Sequence, residues 1–293
     1  MEEEKIKTNC PHLCTALLAV IVLVLLFSTL AHADDIYVSC FGTIEKFDSS
    51  GNKSLFASGT TIPLGLAFDR SGNLYAATWY WGTIVKFDSN GNKSTFASGL
   101  AGPAALAFDR SGNLYVSVGS SGTIEKFDSS GNKSTFASAL AEPRALAFDR
   151  SGNLYAAIWG SGTIEKFDSN GNRTLFASGL DSPFGLAFDS SGNLYVSAHI
   201  FNGTTIKKFD SGGNGAIFAS FWSIPNSLAF DSSGYLYMAN NGGGTIEKFD
   251  SSGNKSTFAS GLNSPCGIAV IPEPASMAIL AFGGLALLGR RRK

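Results

Sequence analysis

The tripeptide Lys-Phe-Asp occurs six times, ending at Asp48, Asp88, Asp128, Asp168, Asp210 and Asp250. Successive copies are 40, 40, 40, 42 and 40 residues apart. A second phrase, Leu-Ala-Phe-Asp, ends at Asp69, Asp109, Asp149, Asp189 and Asp231, and Gly267–Val270 is a degenerate sixth copy. Repetition at this period restricts the fold severely. Each unit must be one supersecondary element that buries its faces against its neighbours.

One full unit reads PAALAFDRSGNLYVSVGSSGTIEKFDSSGNKSTFASAL, from Pro103 to Leu140. It contains four short runs rich in strand-forming residues: a (ALAFD), b (NLYVS), c (GTIEKF) and d (STFAS). Asp-Arg-Ser-Gly-Asn separates a from b, and Asp-Ser-Ser-Gly-Asn separates c from d. Asp opens a type I turn well, and the Gly suits the left-handed position that follows. Each is therefore a three-residue hairpin loop with a bulge at Gly. No helical period occurs between Asp34 and Val270. Four strands at a period near 40 predict a propeller blade, so the fold class is all-β, a six-bladed β-propeller with four strands per blade.

The repeat starts out of phase. Residues 34–271 open on a b strand (Asp35–Ser39) and end on an a strand (Gly267–Val270). The last blade must then be shared by both ends of the chain, which closes the ring and leaves no long free sheet edge. Pairing Asp109 with Asn113 across the a–b loop sets Ala104 opposite Val118. Transferred to the closing blade, these positions are Cys266 and Cys40. A disulfide between Cys40 and Cys266 is therefore expected to lock the ring, worth up to roughly 5 kcal/mol for so long a loop. Cys10 and Cys14 fall outside the repeats, so the core must come from burial rather than from a disulfide framework.

Residues 1–33 carry the apolar run Thr15–Leu30, preceded by Lys5 and Lys7 and followed by Ala31-His32-Ala33. This pattern predicts a helical signal peptide cleaved after Ala33. Residues 272–293 hold Pro272-Glu273-Pro274, an apolar run from Ala275 to Gly289, and the basic end Arg290-Arg291-Arg292-Lys293. The apolar run is short of the roughly 20 residues that span a bilayer comfortably, and the basic end would stay cytoplasmic. This order of parts resembles the PEP-CTERM sorting signal. The resemblance implies a C-terminal transmembrane helix and an exosortase-type processing enzyme as partner. It also implies export across the inner membrane to the cell envelope or extracellular matrix, with at least transient membrane anchoring. A formal net charge of −1 gives no support for a nucleic-acid partner.

The repeat pattern P-x-x-LAFD-x-x-GNLYV…GTIEKFD resembles the NHL-repeat propellers and, more loosely, the gluconolactonase-like and streptogramin-lyase-like propellers. The resemblance implies the fold; these folds host lactonases, lyases and pure binding modules.

Asp-x-Ser-Gly-Asn is similar to a calcium loop, but no bidentate acid follows it, and it stands wherever a hairpin turn is required. No metal site is assigned. The Glu-Lys pairs of the c strands, from Glu45-Lys46 to Glu247-Lys248, are read as a solvated outer pattern. A ligand site should break the repeat, and the breaks fall on one face. The b–c loops vary at Trp79, Tyr80, Trp81, Trp159, His199, Phe201, Asn240 and Asn241, and the d–a loops at Arg144, Phe184, Trp222 and Asn226. Such a rim of aromatics and amides suits sugar rings. A lyase would need a base, and His199 is the one histidine after the leader; a lactonase would need converging carboxylates and Asn ligands. The expectation is a non-enzymatic binding or scaffold protein, with polysaccharide or surface proteins as ligand and no cofactor. The alternative is a metal-dependent gluconolactonase-like hydrolase or lyase, holding Ca2+ or Zn2+ at the channel mouth.

Overall fold

The computed structural model describes residues 34–60, 62–200, 203–223 and 225–271. The predicted signal helix, the predicted C-terminal helix and Phe201 lie outside them. Among the described residues, no helix is long and apolar enough to cross a membrane.

Six four-stranded antiparallel sheets form, each in the order a, b, c, d. Blade 1 runs from Pro63 to Ala97, blade 2 from Pro103 to Ala137, blade 3 from Pro143 to Ala177, blade 4 from Pro183 to Phe221 and blade 5 from Pro225 to Ala259. The closing blade combines the strand Ile268–Ile271 with Asp35–Cys40, Thr43–Phe47 and Lys53–Ser58. Asp35 pairs with Ile271 and Val38 with Ile268. The sequence-based fold, including the blade shared by both chain ends, is the observed one.

The a–b and c–d turns form as their sequence dictates. In the loop from Asp109 to Asn113, the Asp109 N–H donates to the Asn113 carbonyl at 2.9 Å. Asp109 Oδ1 accepts from the N–H groups of Ser111 and Asn113, and Oδ2 accepts from the Asn113 amide. Gly112 sits at φ +83°, where a side chain would be strained. Both carboxylate oxygens are thus engaged by their own loop, which is turn chemistry rather than cation coordination.

The core lies between blades rather than inside any one of them. The b-strand tyrosines are its hubs. Tyr155 meets Phe176 of its own blade and Phe188 of the next, each edge-on at 5.0 Å between ring centroids. The same double contact recurs at Tyr37, Tyr75, Tyr115 and Tyr195, with centroids 4.9 to 5.1 Å apart. At the seam, Val270 takes the place of the second phenylalanine beside Tyr237. The c-strand lysines lie over these tyrosines, 5.2 to 5.7 Å from each ring.

This packing corrects the reading of the Glu-Lys pairs. Glu125, Glu165 and Glu247 are buried. They accept hydrogen bonds from Thr123, Thr163 and Thr245 on their own strands at 2.8, 3.1 and 2.7 Å. Thr135 and Thr257 of strand d donate to Glu125 and Glu247 from the other side. The strand-d threonine and its neighbours roof the carboxylate, which alternation along strand c alone does not reveal.

A second correction concerns register. Strand a carries a bulge just after its opening proline, so Pro103, not Ala104, faces Val118. The closing blade has the same irregularity: Ser39 Oγ accepts the Gly267 N–H at 2.7 Å, as Ser117 and Ser197 accept Ala105 and Gly185. The extra residue moves Cys266 off the position opposite Cys40. Cys40 packs into the seam with Ile246 and Leu262, and both cysteines are free thiols. The expected disulfide is absent because a one-residue slip changes which face a side chain takes.

Replacing Tyr155 by Ala should cost about 3–5 kcal/mol in urea unfolding, as for loss of a buried ring, while Tyr155→Phe, which keeps the ring, should cost under about 1.5 kcal/mol. Acid titration should expose the turns as well. Asn side-chain and backbone donors hold Asp48, Asp88, Asp128, Asp168, Asp210 and Asp250 below the ordinary carboxylate value. Their stabilising effect is full above the unfolded value, about 3.9, and is lost as pH falls through the lower folded value. The melting temperature should therefore drop below about pH 4, and less steeply in an Asp128→Asn variant.

Candidate binding site at the channel mouth

The six a strands surround the central channel. Each enters it from a d–a loop, and its first three residues after proline or its equivalents form successive rings. The first ring is Leu64, Ala104, Arg144, Phe184, Asn226 and Cys266; Leu66, Leu106, Leu146, Leu186, Leu228 and Ile268 form the third. The third ring is the Leu of each Leu-Ala-Phe-Asp phrase and is buried throughout. It floors a recess of about 200 Å³. The repeat therefore makes the floor, and the departures from it make the mouth.

Three blades build one corner of that mouth. The Arg144 guanidinium stands over the Trp79 ring at 4.3 Å, with Phe184 at 5.7 Å and Trp159 at 5.8 Å. Glu142 pairs with one end of the guanidinium. Trp79 reaches this corner from blade 1 by lying across Gly119, where a Cβ would come within 2.6 Å of the indole. Arg144 Nε is shielded from solvent and has no hydrogen-bond partner among the described residues. Glu142 itself adopts φ +63°, uncommon for a side-chain-bearing residue, and Ser182 (+44°) and Ser264 (+49°) stand before the equivalent prolines with the same twist. In that conformation the Glu142 carbonyl accepts the Trp159 N–H at 3.1 Å, which ties the d–a loop to the b–c loop.

The opposite corner is amide-rich. Asn226 and Asn241 donate to Cys266 Sγ at 3.4 and 3.3 Å, and the thiol donates to the Ser264 carbonyl. Burial raises the Cys266 thiol against the pull of those amides, and burial pushes Cys40 up to about 12. Neither sulfur is a thiolate nucleophile at neutral pH.

The candidate rim therefore divides. Arg144, Phe184 and Asn226 line the recess, and Trp79 and Trp159 flank it through Arg144. Trp81 and His199 are exposed and do not line it, as is true of Tyr80 and Trp222. Asn240 is buried and turned into its own loop, donating to Thr245 and accepting the Gly243 N–H. Sequence reading missed Glu142 as the partner of Arg144, Asn241's role at the thiol, and Cys266 as a channel residue; the bulge hid the last. Among the described residues, no carboxylate lines the recess and no group of three or more His, Cys, Asp or Glu side chains could hold a metal ion.

Residues 270–293 match the model of the PEP-CTERM protein-sorting motif. The chain carries a PEP-CTERM sorting motif. It begins within the last strand of the propeller, since Val270 and Ile271 belong to both. No curated protein matches the sequence. Among solved structures, a chain of a nidogen/laminin complex superposes with a TM-score of 0.74 at 20% identity, over 81% of this chain and 98% of that one. A gluconolactonase from Xanthomonas campestris gives 0.63 at 18% identity, over 71% and 82%. A streptogramin B lyase gives 0.61 at 13%, over 80% and 91%. At these identities the likeness is one of fold alone.

Both thiols from Asp34 onward should resist a maleimide at pH 8 in the native protein. They should then label at two equivalents per chain in denaturant without reductant. Labelling of neither under denaturing conditions would mean that a disulfide forms after all.

Proposed function

We propose that this protein is an exported propeller of the cell envelope or extracellular matrix that binds polysaccharide at its channel mouth and performs no catalysis. The PEP-CTERM motif implies export, and supports an exosortase-type enzyme as processing partner. The observation that carries the binding reading is the convergence of Trp79, Arg144, Trp159 and Phe184 from three blades at the edge of one small recess, which Arg144 and Phe184 line. Flat aromatic faces accept the apolar C–H faces of a sugar, and the neighbouring Asn226 and Ser227 offer hydrogen bonds to hydroxyls. A rigid ring beneath varied loops is a scaffold on which such a site is held without ordering cost at binding.

A surface protein as ligand is the rival occupant of the same face. The metal-dependent hydrolase or lyase has less support, because the recess offers an arginine, an amide, a hydroxyl and a protonated thiol as its polar groups. Stoichiometric Ca2+ or Zn2+ in the purified protein would favour it nonetheless.

The exported protein should co-sediment with the extracellular polysaccharide of the producing bacterium. Trp159→Ala should weaken that binding at least tenfold, about 1.4 kcal/mol, with little change in melting temperature because this ring is partly exposed. Failure of the unsubstituted protein to co-sediment would remove the glycan reading.

A further inference from the structure

Resting on the polysaccharide reading, we propose that the Arg144 corner of the mouth selects an acidic sugar, binding the carboxylate of a uronate unit. Among the described residues, Arg144 is the one charged residue that lines the recess. Its side chain is 19% exposed. The stacking on Trp79 and the flanking Phe184 and Trp159 rings leave the guanidinium to bond through its edge. Glu142 takes one terminal nitrogen. Nε remains out of water and has no partner among the described residues.

A buried donor left unmade costs roughly 1–3 kcal/mol, and more when it is charged. An arriving acceptor removes that cost. Carboxylate does so better than hydroxyl, because a charge-assisted hydrogen bond is about twice as strong as a neutral one. The charge count narrows the class further. Glu142 offsets the Arg144 charge, so net charge does not draw an anion here; the single unmade Nε–H is what favours one carboxylate, and a dianionic phosphate or a densely sulfated chain would add repulsion from Glu142. Size narrows it again. About 200 Å³ lies below the ~300–1,000 Å³ usual for drug-sized ligands, which fits one sugar ring. The ring would lie with an apolar face toward Phe184 and hydroxyls toward Asn226 and Ser227 of the adjacent blade.

The test is isothermal titration of the exported protein with galacturonate and mannuronate trimers and with their neutral methyl esters. At least one acid should bind tenfold or more tightly than its ester, and the preference should weaken as salt rises. In Arg144→Gln the acid and ester should bind alike. The acid–ester comparison on the unsubstituted protein stands even if that variant folds poorly. Equal affinity for acid and ester, or a preference that survives Arg144→Gln, overturns the assignment while polysaccharide co-sedimentation keeps the broader reading. Binding of neither trimer overturns the assignment too, and absence of co-sedimentation as well overturns both.

Discussion

A four-stranded sheet has two faces and no interior, so a blade can be dry only where another blade lies against it. The tyrosine of strand b meets this constraint. It touches a phenylalanine on its own blade and another on the next, so the sheet spacing around the ring is set by edge-on aromatic contacts that recur at nearly the same distance. Everything else is arranged around that contact. The lysine of strand c covers the ring from the solvent side, and the leucines of strand a close the channel below the mouth. The seam is where the pattern thins, because Val270 stands where the other blades place phenylalanine.

Sixfold repetition separates the tasks of the two faces. Strands alternate in direction, so the Asp-x-x-Gly-Asn turns gather on one face and the d–a and b–c loops on the other. In these turns the Asp carboxylate is engaged by its own loop, as at Asp109. The opposite loops carry the residues that differ between copies. One position, the residue after the opening proline, illustrates the division. It is Leu64, Ala104, Arg144, Phe184, Asn226 and Cys266 in turn, so a single structural slot supplies six chemistries around one opening.

Blade number, strand order, turn type and the shared blade were all legible, because period, alternation and turn residues are local properties that repetition amplifies. The mouth was legible in part: Arg144, Phe184 and Asn226 were recognisable as departures from the repeat that must share a face. What stayed hidden depends on a single inserted residue or on an overhead neighbour. The bulge after Pro103 has no residue type of its own, and it is why Cys40 and Cys266 part company. Glu125 reads as solvent-facing along strand c, and only the threonine of strand d roofs it over. Asn240 reads as a rim amide, yet it braces Gly243 and Thr245 in its own loop.

Pro272 follows Ile271 directly, and Ile271 pairs with Asp35 where every other blade has its a–b turn. Both ends of the ring therefore leave it on the turn face, the side opposite the Arg144 corner. A ring held by its C-terminal end would present the recess away from whatever holds it, like a cup standing on its base. The same arrangement leaves no spacer between the closing strand and the sorting motif. Were the chain held at that end, tension would act first on the four residues that hold the ring shut.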